Sequence, residues 1–88
     1  MEVNYMKNLD YFLGLGKCFK LIFKDGDKLA FRLKNRESIE TVRTLLRNKD
    51  NVFINILKDR NKVEIIDEEK ELLYQFKVEN IRIENKKS

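Results

Sequence analysis

Proline, histidine and tryptophan are absent from this 88-residue chain, which also holds only three glycines and one cysteine. Without histidine the commonest general acid–base side chain is missing, and so is the group that would activate a thiol. One cysteine and no histidine cannot assemble a zinc set. Cys18 has no internal disulfide partner, which a secreted domain of this size usually requires. The chain is therefore expected in a reducing, cytoplasmic setting, with Cys18 a small apolar strand residue. The glycines do not form a phosphate cradle. Counting from Gly14-Leu15-Gly16, the third glycine of a dinucleotide-binding loop falls on Phe19, and a strand pattern follows where a helix is needed. No run approaches the roughly 20 apolar residues of a membrane span. The stretch Leu9–Gly16 is short, carries Asp10 and lacks a cleavage site, so it does not read as a targeting segment. Paired carboxylates are the remaining route to hydrolysis, but they need a pocket that shifts their pKa values, and here they sit at turns or on wet faces. The expectation is a protein that is not an enzyme, with no cofactor and no metal.

What is present is a packed core under a charged surface. Apolar residues make up 42%, with nine aromatics, and charged residues 39%. That hydrophobicity excludes disorder, and the length suits one domain without a deep substrate cavity. Lysine, asparagine and isoleucine, all with AT-rich codons, are abundant, which points to an AT-rich bacterium or its phage.

Along the chain, residues 1–16 form an N-terminal segment. Asn8 is placed to cap a short helix through Leu13, stopped by Gly14 or Gly16, with the first five residues loose. Residues 17–84 read as a single α+β domain and residues 85–88 as a frayed tail. Phe19, Leu21 and Phe23 alternate with Lys20, Ile22 and Lys24, and Leu29, Phe31 and Leu33 alternate with polar residues, so residues 17–34 form a β-hairpin. Pairing Phe23 with Leu29, Leu21 with Phe31 and Phe19 with Leu33 puts every large apolar side chain on one face. Asp25-Gly26-Asp27 is then an odd-length loop or its tip. It resembles the start of a calcium loop, but its twelfth position is Arg36, where that loop needs glutamate. Asp67, Glu68, Glu69 and Glu71 likewise read as a solvated turn.

Asn35 reads as a helix N-cap with Glu37 in the first turn, and Ile39, Val42, Leu45 and Leu46 fall on one stripe. The helix fades at Asn48–Asn51. Strands are expected at Val52–Lys58, Lys62–Ile66 and Leu72–Val78, with a short last one at Ile81–Ile83. Asp59-Arg60-Asn61 is a hairpin loop in which Asn61 tolerates a left-handed backbone. The fold class is α+β: a twisted antiparallel sheet (hairpin, helix, then a meander of three or four strands), able to curl into a small barrel, with one helix packed on it.

Charge is the informative feature. Residues 1–50 hold 11 lysines and arginines against 7 acids, whereas residues 51–88 hold 8 of each. In the hairpin region Lys17, Lys20, Lys24, Lys28, Arg32, Lys34 and Arg36 face only Asp25 and Asp27. The apolar-matched register sets Lys20 opposite Arg32 and Lys24 opposite Lys28, a repulsive ladder that an anionic partner would relieve. Arg36, Arg43 and Arg47 line one helix flank beside Glu40. The eight candidate contacts are Lys20, Lys24, Lys28, Arg32, Lys34, Arg36, Arg43 and Arg47. They imply docking on a polyanion, nucleic acid or a nucleic-acid-handling protein complex, through phosphate contacts with little base reading. Two alternatives stand beside this. One is a protein-binding inhibitor or adaptor of the mobile-element type, such as a phage antagonist of a host defence complex; the other is a nucleotide-ligand sponge. A homodimer through a strand edge or the helix is compatible with all three, and no membrane partner is expected.

Overall fold

The alternation of residues 17–34 becomes two antiparallel strands in the computed structural model, which describes residues 5–86. They are β2 (Cys18–Phe23) and β3 (Lys28–Leu33). Phe19, Leu21, Phe23, Leu29, Phe31 and Leu33 all point inward, none more than 2% exposed. The face is the expected one, but the register is not. Leu21 pairs with Leu29 and Phe19 with Phe31, two residues away from the apolar-matched pairing. The turn decides this. The loop is Lys24-Asp25-Gly26, closed by Phe23 N–H donating to Asp27 O at 2.9 Å and Gly26 N–H donating to Phe23 O at 2.9 Å. A three-residue hairpin loop needs its third residue at positive φ, and Gly26 takes φ +94°. A shift of two keeps every side chain on its face, so hydrophobic burial tolerates either register and the glycine position selects one.

Residues 5–15, expected to hold a short helix, form the strand β1 (Tyr5–Leu15). It pairs with β4 (Phe53–Leu57) through Tyr5–Asn8 and with β2 from Leu9 to Leu15. A register shift between Leu9 and Tyr11 bulges Asp10, so Leu9 and Phe12 both turn inward. Their spacing of three imitates a helix; it is produced by a β-bulge. Gly16, read as a helix stop, sits at φ +59° as the first residue of the two-residue loop joining β1 to β2, where such primed turns require it.

β5 (Lys62–Ile66) follows a single 3-10 turn at Lys58–Arg60 and Asn61 at φ 52°. β6 (Leu72–Glu84) absorbs both expected last strands into one. It pairs with β5 from Leu72 to Lys77 and with β3 from Val78 to Glu84. Asn80, at φ 55°, lies where the β3–β6 register shifts, and that irregularity split the alternation in two. The sheet closes as an antiparallel barrel in the order β1-β2-β3-β6-β5-β4. Both long strands serve both halves, so residues 5–15 are part of the barrel.

The helix α1 (Ser38–Asn48) starts two residues later than the Asn35 cap implied, with Glu37 at the cap position. Asn35 contributes its backbone oxygen to Ser38 N–H at 3.2 Å, and Arg36 lies in this lead-in turn, off the helix. Val42 and Leu46 are buried and Ile39 and Leu45 pack beside them, as the stripe implied. Ser38 Oγ lies 3.1 Å from the Tyr74 hydroxyl at one end. Leu46 shares a depression with Leu9 and Val52 at the other. Across the core runs a row of rings: Phe12–Phe19 at 6.1 Å, Phe19–Phe31 at 5.9 Å and Phe76–Tyr74 at 5.9 Å are stacked, and Phe31–Phe76 at 5.7 Å is tilted. Among the described residues, no helix is long and apolar enough to cross a membrane.

The tail expected at 85–88 is partly tied down. Lys86 N–H donates to Asp27 Oδ1 at 2.8 Å, while residues 87–88, like residues 1–4 of the segment expected to be loose, lie outside the described residues. The Asp25-Gly26-Asp27 carboxylates are engaged internally. Lys7 Nζ bonds Asp25, reaches Asp27 Oδ2 at 2.6 Å, and thereby ties β1 to the β2–β3 turn. Asp25 Oδ1 also accepts the Asp27 N–H at 2.9 Å. The Lys7 hydrogen bond, followed by that backbone donor, holds the Asp25 carboxyl below its ordinary value. A carboxyl whose pKa is depressed on folding adds stability above its unfolded pKa of about 4, and loses it as pH falls through the folded value. Thermal melts from neutral pH downward are expected to show a Tm decline below about pH 4 that is shallower in Lys7→Met, which no longer lowers that pKa. Equal declines would remove the Lys7 staple as a contributor.

Candidate anion-binding face

The outward positions of β1, β2, β3 and the second half of β6 form one curved surface. Antiparallel pairing arranges it in rows. One row reads Leu13, Lys20, Ala30, Arg82; the next reads Leu15, Cys18, Arg32, Glu79. Ala30 and Cys18 are the small members. Around them lies a trough of about 580 Å³, walled by Leu13, Leu15, Lys20, Arg32 and Arg82, with Asn80 at its end. The β6 irregularity aims Arg82 there: it sets Ala30 opposite Arg82 and Arg32 opposite Glu79, leaving Phe31 facing the extra residues. Bulges commonly re-aim side chains in this way.

The trough has an apolar edge on β1 and cations on β2, β3 and β6. Tyr11, Leu13 and Leu15 are successive outward residues of β1, exposed by 53%, 59% and 84%. Ile22, though outward, is only 7% exposed, lying between its partners Tyr11 and Lys28. Lys20, Arg32 and Arg82 face the apolar flank, and none makes an ion pair among the described residues. Cys18 is exposed within the trough.

The eight expected contacts do not share one surface. Lys20 and Arg32 line the trough; Lys28 sits on the same face, opposite Glu84. The repulsive ladder is absent there, because the register sets Lys20 opposite Ala30, Arg32 opposite Cys18 and Lys28 opposite Ile22. The face is not uniformly positive either: Glu79 and Glu84 border it on β6. Lys24 belongs to the hairpin loop and shares a depression with Asp10, Lys49 and Asp50. Arg43, half-buried, and the exposed Arg47 lie on α1, outside the trough, and Arg36 precedes the helix.

Directly opposed like charges occur elsewhere. Lys62 on β5 pairs with Lys77 on β6, and Lys34 N–H donates to Lys77 O at 3.1 Å. These lysines, with Asn35, Ser38 and Tyr74, surround a depression of about 360 Å³. Arg82, Lys62 and Lys77 escaped the sequence reading. Matching Val63 with Phe76 by apolar alternation would have brought Lys62 opposite Lys77; Arg82 needed the pairing of β3 with β6 across the irregularity, which is a tertiary property.

The acidic turn is closed on itself. Asp67 Oδ1 accepts N–H groups of Glu69 and Glu71, both at 2.9 Å, and Glu68 accepts from Asn51 at 3.3 Å. No protein-family model, curated protein or solved structure matches the chain, so the trough and its cations carry the functional argument alone.

Proposed function

We propose that the protein is a non-enzymatic binding domain that takes single-stranded nucleic acid on the outer face of β1, β2, β3 and β6. The carrying observation is the trough, apolar along Leu13, Leu15, Cys18 and Ala30 and cationic at Lys20, Arg32 and Arg82. Phosphates bind the cations by charge and counterion release. An unstacked base has an apolar face to lay on the leucines, whereas a duplex keeps its bases covered. This narrows the polyanion expectation to three central contacts and gives the exposed leucines a role.

The test is fluorescence anisotropy with a labelled oligonucleotide over a salt series. Three phosphate contacts on a single strand give a log–log slope of about −2, or about a twentyfold loss of affinity between 50 and 200 mM salt. Ala30→Leu fills the trough without changing charge. It is expected to weaken binding several-fold at every salt concentration while leaving the slope unchanged. Binding that ignores salt, or a duplex held as tightly as its single strand, would defeat the proposal.

A second reading, the protein-binding inhibitor or adaptor, is favoured by one observation: Leu15, at 84% exposure, ends an exposed apolar row that also holds Tyr11 and Leu13. One stoichiometric protein recovered from nuclease-treated lysate, with recovery lost in Leu13→Lys/Leu15→Lys, supports that reading over the first.

A further inference from the structure

We propose that Lys34, Lys62 and Lys77 form a second anion site, built to hold a phosphate of the strand whose neighbouring nucleotide lies in the trough. The choice of phosphodiester as ligand rests on the nucleic-acid reading; the site itself rests on its own geometry.

Lys62 and Lys77 are directly paired residues of adjacent strands. Residues so placed have Cβ atoms about 4.5–5.5 Å apart, and like charges there are destabilising. The third lysine is bound to the second through its backbone. The nearby acids are engaged or outside pairing range. Glu64, the next outward residue of β5, accepts hydrogen bonds from Asn55 at 2.9 Å and Gln75 at 2.8 Å. Glu79, the next outward residue of β6, makes no ion pair among the described residues. One further donor opens on the same depression: the Ser38–Tyr74 hydroxyl pair, whose mutual bond uses one of its two protons.

Position links the two sites. Lys34 follows Ala30 by four residues with Arg32 between them, about 13 Å along an extended strand. A cationic path therefore runs from the trough past Arg32 to the lysines, around the outside of β6. A ligand filling the trough alone touches none of them; a longer strand reaches them.

The test uses the full chain and three probes: inorganic phosphate, a mononucleotide and oligonucleotides of increasing length. Phosphate is expected to move the amide resonances of Lys34, Lys62, Lys77 and Tyr74. Lys62→Glu is expected to abolish those shifts and to reduce by about tenfold the affinity gained with length, one charge-assisted contact being lost. It is expected to leave the mononucleotide-induced shifts of the Lys20, Arg32 and Arg82 amides in the trough unchanged. It also replaces a like pair by an opposite one, so Tm is expected to rise by roughly 2–6 °C. Absence of phosphate shifts in the unaltered protein, length dependence untouched by Lys62→Glu, or a fall in Tm would each overturn the second site. A mononucleotide that moves no amide of the trough while the phosphate shifts persist would instead remove the trough and leave the lysine site standing.

Discussion

Lys20→Glu/Arg82→Glu is expected to bind a single-stranded oligonucleotide at least a hundredfold more weakly than the unaltered protein, with an unchanged melting temperature. These residues flank Ala30 in one row, one on each side of the trough. A hydrogen bond to a charged group contributes about 1.5–3 kcal/mol, so two lost contacts remove about 3 kcal/mol or more, which is two powers of ten. Reversal adds repulsion to that loss. Lys49→Glu is the matched control: it also reverses a charge, but in the depression beside Leu9 and Asp10, away from the trough. It is expected to change affinity by less than threefold, through long-range potential that salt screens over about 8–10 Å. If both variants weaken binding equally, the protein binds by net charge alone and the trough has no special part.

The largest expected loss of stability follows from Phe31→Ala. Phe31 is 2% exposed, and its ring is stacked on Phe19 and tilted against Phe76. It is the centre of the aromatic row through the barrel. Truncating such a ring costs about 3–5 kcal/mol, by lost transfer energy and by the cavity left behind. A domain of this length has a total of roughly 4–13 kcal/mol, so Tm is expected to fall by roughly 15–30 °C. Where the alanine variant does not fold, Phe31→Leu provides the measurement, with a smaller loss of about 1–2 kcal/mol. A loss below 1 kcal/mol in the alanine variant would mean that the barrel collapses around the gap and that the ring row does not organise the core.

Both predictions depend on details of different legibility. The inward face of β2 and β3 could be read at once, because alternation is a local property and six large apolar residues share one parity. The register could also have been read: Gly26 marks the third loop position, and treating it as the middle position displaced the pairing by two. The strand at residues 5–15 was harder. Its bulge at Asp10 turns Leu9 and Phe12 to the same side, and a spacing of three looks helical when the neighbouring strands are not yet placed. Arg82 was out of reach for a similar reason, since the irregularity at Asn80 interrupts the alternation of β6.

By itself, then, the sequence determined the class of the molecule: an α+β domain with an antiparallel sheet, an amphipathic helix, an apolar interior and an excess of cations in its first half. Those properties follow from composition and from side-chain period, which each segment carries alone. Only the tertiary structure decided which cations are neighbours. Closure of the barrel joins strands distant in sequence, and the bulges and turn geometry set their offsets. The result gathers Lys20, Arg32 and Arg82 around Ala30, brings Lys62 against Lys77, and sends Lys24, Arg36, Arg43 and Arg47 elsewhere. Charge is counted along a chain, but the potential an anion meets is summed over distances through space, and those distances exist only once the strands are paired.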